Sequence, residues 1–256
     1  MRGINKNQRA RFIAGLILAM SLNTAIDSRE TDTTTLVTSV NAIIAKKLRE
    51  VGKDNFFDFL KLELPPTTEN HAKYREAIRH TIHELNTLDI KNAMASGKDI
   101  LGELYEKFLK YGNGAKEIGI VLTPRHITEF AVQVLSITHQ DYIFDPTCGT
   151  GGFLVSAFDA VRQVASNAQI DGFKTHHLFG IEQDDEVVAL ALVNMIFRGD
   201  GRNNMSEGNC FKKNLIKTIK GTVKTGVFTN RLRDNKLQAC NAPIITKVLM
   251  NPPFAL

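Results

Sequence analysis

The sequence contains little cysteine: only Cys148, Cys210 and Cys240 among 256 residues. Three cysteines cannot all pair in disulfides, and their spacing matches none of the close Cys or Cys–His patterns that hold zinc. This excludes a disulfide-stapled secreted domain and a small zinc module. We therefore predict three reduced thiols, no bound metal and a cytoplasmic location.

Long hydrophobic runs are lacking as well. Phe12–Met20 follows Arg9 and Arg11 and imitates the start of a signal peptide, but no small-residue cleavage site follows it. The run is also too short to span a bilayer, which takes about 20 apolar residues. The sequence thus predicts a buried helix here and no association with a membrane.

The remaining composition is typical of a globular protein, with 43% hydrophobic residues, 23% charged residues and a net charge of +5. The mild positive charge fits contact with a polyanion, but it fits equally a basic protein without a nucleic-acid role. Apolar residues recur at helical spacing from the N-terminus until Gly112-Asn113-Gly114 interrupts the pattern. We predict an all-helical N-terminal region over residues 1–111, with helices that begin near residues 12, 33, 54, 67 and 99, and a second domain over residues 112–256.

The most informative stretch is Phe144–Phe153, with the sequence FDPTCGTGGF. The aromatic and β-branched residues before it predict a strand that ends at Asp145, and its glycines predict a turn into a helix that runs to about Val164. The spacing matches neither the dinucleotide motif nor the P-loop, which excludes a pyrophosphate or triphosphate site. A carboxylate beside the glycines suits a cationic group instead, such as an amino group or a sulfonium. An ordinary strand-to-helix turn is the alternative.

A second informative stretch is Asn251-Pro252-Pro253-Phe254, which follows a β-branched run. Consecutive prolines continue neither a helix nor a strand ladder, so they hold the backbone extended at the end of the strand. The Asn251 amide oxygen and the Pro252 carbonyl can then accept both hydrogens of a planar amino group. Phe254 can stack on the ring that carries this group.

These two motifs, in this order, resemble those of the S-adenosylmethionine-dependent methyltransferases that modify amino groups of DNA. The likeness is strongest to the modification subunits of type I restriction-modification systems and to related fused restriction enzymes. Three further segments support it: Gly119–His126 (GIVLTPRH), Gly180–Glu182 (GIE) and Asn194–Gly201 (NMIFRGDG). The resemblance covers roughly residues 98–256. It implies a Rossmann-like α/β methyltransferase core, incomplete at its C-terminus, behind the helical region, with S-adenosyl-L-methionine as the cofactor.

The resemblance also implies roles for individual residues. The expected cofactor-binding residues are Val121, Leu122, Thr123, Pro124, Arg125, Asp145, Thr147, Gly149, Thr150, Gly151, Gly152, Glu182, Asn209 and Cys210, and the expected catalytic residues are Asn251, Pro252, Pro253 and Phe254. Thr123, as the cap of a helix that starts at Pro124, would face the cofactor's carboxylate, and Glu182 would accept its ribose hydroxyls. Asn209 stands where family members often carry an acid that accepts the adenine amino group, and its amide oxygen can still accept.

The implied activity is transfer of a methyl group to N6 of a flipped-out adenine in double-stranded DNA, with specificity and restriction subunits as partners. The helical region would help to grip DNA or those subunits. A methyltransferase of ribosomal RNA or of a glutamine side chain, and an inactive scaffold, are the alternatives. Because such a sheet usually has further strands after the proline motif, we expect a truncated chain with an uncovered sheet edge.

The sequence also predicts the local structure of four segments around these motifs. The buried stripe of the helix at Pro124 would consist of Ile127, Phe130, Ala131, Val134 and Leu135. Val187–Phe197 would be a helix with one apolar face. Glu182 lies farther from Asp145 than the roughly 20 residues typical of a glycine-rich fingerprint, which predicts a loop insertion at residues 166–174. Residues 212–241, rich in lysine and arginine, would be a loop-rich connection.

Overall fold

The computed structural model describes residues 9–21, 26–27, 29–87, 123–198, 204–211, 225–233, 236–243 and 245–252. The predicted helix at residues 99–111 and the predicted boundary at Gly112-Asn113-Gly114 lie outside the described residues. Within the described part, a group of helices precedes a parallel sheet, as the resemblance implied.

The N-terminal region is helical, as its periodicity predicted. α1 spans Arg9–Met20, α2 Thr33–Glu50, α3 Phe57–Leu60 and α4 His71–Thr87, with short 3-10 turns at Asp54–Phe56 and Thr68–Asn70. The Asp32 carboxylate accepts the N–H of Thr35 at 2.7 Å, which satisfies one of the free N–H groups in the first turn of α2. Among the helices described, none combines the length and the apolar character that crossing a bilayer requires.

The four helices enclose an apolar core, and most residues of α1 belong to it. Its fully buried members include Leu16, Leu36, Ile44, Leu48, Leu60 and Ile78. Burying one such side chain contributes about 1.5–3 kcal/mol relative to exposure. Gly15 lets α1 lie directly on α3, because a Cβ atom at this position would collide with the carbonyl oxygen of Leu60. The run that imitates a signal peptide is therefore a core helix, as predicted.

The second part of the chain forms a sheet with helices beside it. Its strands are β1 Ile143–Asp145, β2 Leu178–Glu182, β3 Asn204–Glu207, β4 Thr225–Arg233, β5 Lys236–Pro243 and β6 Lys247–Val248, and its helices are α5 Arg125–Val134, α6 Gly152–Val164, α7 Asn167–His176 and α8 Asp185–Phe197. β3, β2, β1 and β6 lie side by side in this order, and all are parallel. β4 and β5 pair separately as an antiparallel hairpin.

Successive side chains along each strand point to opposite faces of the parallel sheet, and both faces carry apolar residues. Ile143 and Leu178 belong to the core that the sheet shares with α5, α6 and α8. The opposite face carries a smaller cluster of Tyr142, Phe144, Phe179 and Ile181. Within the described residues β6 is an edge strand, and Val248 and Met250 are about half exposed.

From Val187 to Ile196, α8 is buried on all sides, whereas the sequence predicted one apolar face. Ala191 and Met195 belong to the core on the sheet side. Val188, Leu192 and Ile196 belong to the core of α1–α4. A helix packed on two sides needs apolar residues around most of its circumference, so its sequence shows little amphipathic pattern. The N-terminal helices are thus anchored to the sheet through α8.

Two segments predicted as loops contain regular structure. Residues 167–176 are α7 rather than an insertion loop, and Ser166 and Gln169 form a capping box in which each side chain accepts the other's backbone N–H. The Ser-x-x-Gln spacing is a sequence signal for this helix start. Residues 225–243 contain the β4–β5 hairpin, where the sequence predicted a loop-rich connection.

The prediction of which residues form the buried stripe of α5 is wrong. Three of its members, Ile127, Phe130 and Val134, are 45%, 63% and 64% exposed, and Ala131 and Leu135 are only partly buried. The buried side chains of this helix are Thr128 and Val132. The hydroxyl oxygens of Thr128 and Ser156 of α6 lie 2.6 Å apart in a buried hydrogen bond. This polar contact and the packing of Val132 set the rotation of α5, which turns the predicted stripe away from the core.

Candidate functional site

The candidate site lies at the edge where the parallel strands end. From β1 the chain moves outward to β2 and β3, and it then returns to β6 on the other side of β1. This reversal is a topological switch point, and in open α/β sheets ligands bind in the crevice outside the strand ends at such a point. Asp145 ends β1 and Asn251 closely follows β6, so the two sequence motifs reach the same edge of the sheet.

The glycine turn between β1 and α6 is held by its own backbone. Gly149 and Gly151 have φ angles of +56° and +85°, a region that glycine adopts without strain. The Cys148 N–H donates to the Ile181 carbonyl at 2.9 Å, which ties the turn to β2. Burial raises the pKa of the Cys148 thiol well above its usual value, so this thiol is not a reactive nucleophile.

Asp145 is a buried carboxylate beside this turn. It is 1% exposed, and its Oδ1 accepts the Thr147 N–H at 3.0 Å. Burial, with a smaller contribution from the nearby charge of Glu182, raises the pKa of Asp145 to about 8 against the lowering effect of the Thr147 hydrogen bond. A positive group beside Asp145 would favour its ionised form and reverse this shift. A cationic group beside Asp145 stays the prediction made from the sequence.

Glu182 joins the end of β2 to the glycine turn. Its Oε2 accepts the Gly149 N–H at 2.9 Å, and its Oε1 accepts the N–H groups of Gln183 and Asp184 at 2.8 and 3.0 Å. The sequence predicted a role on the cofactor ribose and missed the bond to the turn. No local signal could have revealed it, because the two partners come from different strand ends.

The two threonines of the turn differ in their surroundings. Within the described residues, the Thr147 hydroxyl is buried and has no hydrogen-bond partner. A buried hydroxyl left in this way costs about 1–3 kcal/mol, and a ligand group that bonds to it removes the cost. Thr150 is 3% exposed, and its carbonyl oxygen accepts a hydrogen bond from Asn194 of α8.

Thr123 does not cap α5, so the predicted capping role is wrong. Pro124 occupies the cap position without a side-chain bond, and its carbonyl accepts the N–H of Ile127 at 2.9 Å. The Thr123 hydroxyl instead accepts a hydrogen bond from Asn251 Nδ2 at 3.0 Å. The structure thus brings together one residue from the predicted cofactor motif and one from the predicted catalytic motif. Both side chains are half-buried.

Two further predicted residues lie where β3 ends. Pairing of β2 with β3 brings this end to the same edge of the sheet as Glu182. Asn209 Oδ1 accepts the N–H of Phe211 at 2.9 Å, so its oxygen is engaged within its own turn. Cys210 is partly buried and packs against the aromatic cluster on the second face of the sheet.

The remaining predicted residues fall into two groups. Arg125 forms ion pairs with Glu129 at 2.8 Å and with Asp159 at 3.2 Å, which places its guanidinium between α5 and α6. Gly152 begins α6, and Pro252 is exposed. Outside the described residues lie Val121, Leu122, Pro253 and Phe254.

The sequence profile of the family described as N-6 DNA Methylase matches residues 96–256. The chain belongs to the N-6 DNA methylase family. The resemblance seen in the sequence is thereby confirmed, and the match begins within two residues of the limit that the sequence motifs suggested.

Two relatives of known description agree with this membership. Over 159 residues, 61% of its length, the chain is 38% identical to the type II restriction enzyme and methyltransferase RM.BcgI of Heyndrickxia coagulans, and it covers 22% of that protein. Over 132 residues, 51% of its length, it is 32% identical to the type I restriction enzyme EcoEI methylase subunit of Escherichia coli and covers 26% of it. The chain therefore spans about a quarter of the length of these relatives.

A solved structure of a type I restriction-modification system contains a chain with the same fold. The TM-score is 0.55 at 18% identity, over 82% of this chain and 48% of the other chain. The predicted fold class, a helical region before a Rossmann-like α/β core, is confirmed by this likeness and by the described sheet.

Proposed function

We propose that this chain is the cofactor-binding and amine-positioning part of a DNA methyltransferase that modifies N6 of adenine and uses S-adenosylmethionine as the methyl donor. Family membership supports the class of reaction. The observation that carries the proposal is the hydrogen bond from Asn251 to Thr123, because it joins the residue expected to hold the target amine to the motif expected to hold the cofactor.

The residues around the glycine turn fit S-adenosylmethionine. Asp145 is a buried acid whose ionised form a positive group would favour, and this donor carries both an ammonium and a sulfonium. The buried Thr147 hydroxyl can bond to a polar group of the ligand. Glu182 Oε2 has acceptor capacity beyond its bond to Gly149, which suits a ribose hydroxyl. When bound, S-adenosylmethionine supplies an electrophilic methyl group on sulfur.

Asn251 orients the acceptor amine in this proposal. Because its Nδ2 donates to Thr123, its Oδ1 points to the opposite side of the amide group, where it accepts one N–H of the adenine amine. The Pro252 carbonyl accepts the second N–H, and Phe254 stacks on the base. With both hydrogens held in one plane, the nitrogen lone pair faces out of that plane towards the methyl group. Orientation and electrostatics then lower the barrier.

The substrate and the biological setting follow from the same reasoning. An adenine amine lies inside the duplex, so the base must leave the stack, at a cost of a few kcal/mol. Stacking on an aromatic side chain returns about 1–3 kcal/mol of this cost. The relatives are described as parts of type I and type II restriction enzymes, so we propose that this chain works in such a system with restriction and specificity subunits.

Two measurements on the full chain test the proposal. Isothermal titration calorimetry with S-adenosylmethionine measures cofactor binding, and transfer of labelled methyl groups to unmodified duplex DNA measures the reaction. Asn251→Ala should abolish methyl transfer and leave cofactor affinity nearly unchanged, because the glycine turn is untouched. Asn70→Ala is the matched control, since Asn70 Nδ2 also donates to a threonine hydroxyl, that of Thr67, at 2.7 Å in the helical region.

Each outcome separates the proposal from its alternatives. Methyl transfer by Asn251→Ala at the wild-type rate would refute the amine-positioning role. A folded wild-type chain that binds no S-adenosylmethionine would favour an inactive scaffold. Transfer to ribosomal RNA or to a glutamine-containing peptide, with none to DNA, would support the other amino-methyltransferases.

A further inference from the structure

We propose that Asn194 of α8 is a positioning residue for the cofactor: it holds the glycine turn in its binding conformation, and Arg198 and Asp159 hold Asn194 in place. The inference rests on the proposed function and deepens it. Asn194 itself lies behind the turn, on the helix that supports it.

Asn194 is a polar residue in an otherwise apolar stretch of helix, and it is fully buried. Its Nδ2 donates to the carbonyl oxygen of Thr150, inside the glycine turn, at 3.2 Å. One helical turn earlier, Ala191 packs against the same loop, and a Cβ atom placed on Gly151 would lie 3.7 Å from the Ala191 Cβ. A buried amide costs free energy unless it is hydrogen-bonded, so its presence here is explained by the carbonyl that it binds.

Arg198 determines which end of the Asn194 amide faces the turn. Arg198 Nη1 donates to Asn194 Oδ1 at 2.6 Å and to the Asn194 backbone carbonyl at 3.0 Å. Since a guanidinium only donates, it selects the oxygen end of the amide and directs the Nδ2 end towards Thr150. The Arg198 side chain is 2% exposed, so water does not compete for this bond.

Asp159 of α6 supplies the counter-charge and extends the network. Its Oδ2 lies 3.9 Å from Arg198 Nη2 and 3.2 Å from Nη2 of Arg125, at the start of α5. Thr123, two residues before Arg125, accepts the hydrogen bond from Asn251. Contacts therefore run from the glycine turn, through α8 and α6, to the start of α5, two residues after the threonine that Asn251 contacts.

Asn194→Asp tests the proposal with a minimal change. The new carboxylate still accepts from Arg198, which keeps it ionised, but it cannot donate to the Thr150 carbonyl. We expect amide hydrogen exchange at residues 148–152 of the ligand-free chain to become about tenfold faster, and the Kd for S-adenosylmethionine to rise about tenfold, as for the loss of one buried hydrogen bond. The kcat at saturating cofactor should stay within about twofold of wild type, because Thr123 and Asn251 are unchanged.

Asn204→Asp is the matched control. Asn204 Nδ2 donates to the Leu178 carbonyl at 3.2 Å, near the opposite end of β2 from the glycine turn. The same chemical change there should lower thermal stability but leave exchange at residues 148–152 and the Kd as in wild type. Arg198→Lys is a second variant, which keeps a positive charge opposite Asp159 but loses the planar set of guanidinium N–H donors. It should also speed amide hydrogen exchange at residues 148–152.

The outcomes separate this inference from the proposed function. Wild-type exchange rates at residues 148–152 in both Asn194→Asp and Arg198→Lys would overturn the positioning role, whether or not the chain binds S-adenosylmethionine. A rise in Kd equal to that of Asn204→Asp would overturn it as well. Faster exchange in the variants, with no cofactor binding by the wild type, would support the positioning of the turn and refute the proposed function.

Discussion

Asp145→Asn is expected to stabilise the ligand-free protein, and increasingly so as the pH rises. Burial raises the pKa of Asp145 to about 8, compared with 3.8 for an ordinary aspartate. Between these two values the unfolded chain releases a proton that the folded chain keeps, so the stability associated with the neutral carboxyl is full below pH 3.8 and is lost as the pH rises towards 8. Asparagine keeps the shape and the acceptor for the Thr147 N–H, and it does not titrate.

The size of the effect follows from this difference in pKa. Between about pH 5 and pH 7, the folding equilibrium constant of the wild type should fall roughly tenfold per pH unit relative to that of Asp145→Asn. Over these two units the free energy of unfolding of the wild type should fall by about 3 kcal/mol relative to the variant. Urea unfolding followed by circular dichroism at several pH values in this range measures it. S-adenosylmethionine should reduce the slope of the wild type, because a positive ligand favours ionised Asp145.

Asp141→Asn is the control for this experiment. Partial burial raises the pKa of Asp141, but hydrogen bonds from Thr138 and Thr246 together outweigh burial and lower it. The contribution of Asp141 to stability is therefore lost only at lower pH. Between about pH 5 and pH 7, the free energy of unfolding of Asp141→Asn should change with pH in the same way as that of the wild type. Equal slopes for wild type and Asp145→Asn would refute the view that Asp145 is neutral in the folded, ligand-free protein.

Three further changes probe other parts of the structure. Thr123→Val removes the acceptor for Asn251 Nδ2 and should lower kcat roughly tenfold, whereas Thr123→Ser should restore it; equal rates in a methylation assay would contradict the contact. Gly180→Ala would place a Cβ 2.8 Å from the end of the buried Met205 side chain and 3.0 Å from Cys148 Sγ in the glycine turn, so calorimetry should show a modestly lower Tm and weaker cofactor binding, and an unchanged Tm would count against this crowding. Leu192→Ala, at a fully buried position on the side of α1–α4, should lower the free energy of unfolding by about 2–5 kcal/mol in a urea titration; a loss under about 1 kcal/mol would show that the two packed faces are not both required.

Much of the local structure was predictable because its causes are local. The start of α2, the end of α6 at Val164 and the strand that ends at Asp145 all follow from apolar periodicity and from residues that break or cap an element. The capping box of α7 is equally local, although the prediction of a loop there missed it. The order of the motifs along the chain also indicated the family, and the profile match over residues 96–256 confirms it.

The other errors have a different origin. The rotation of α5 depends on the hydrogen bond between Thr128 and Ser156. Thr123 does not cap α5 but accepts a hydrogen bond from Asn251, more than a hundred positions along the chain. α8 shows little amphipathic pattern because a second core, built by the N-terminal helices, lies against it. None of these partners can be inferred from spacing, since they depend on which elements pack together.

The sequence by itself determined the elements and the chemical groups at the site: a carboxylate before a glycine turn, and an asparagine before two prolines. These follow from backbone restrictions and hydrogen-bonding capacity, which belong to each residue and its neighbours. Only the tertiary structure decided how the groups cooperate. Adjacent parallel strands bring both motifs to one switch point, and burial then raises the pKa of Asp145 and lets Asn194 hold the glycine turn from behind. Burial and distance are properties of the packed chain, so no pattern of residues could have specified them.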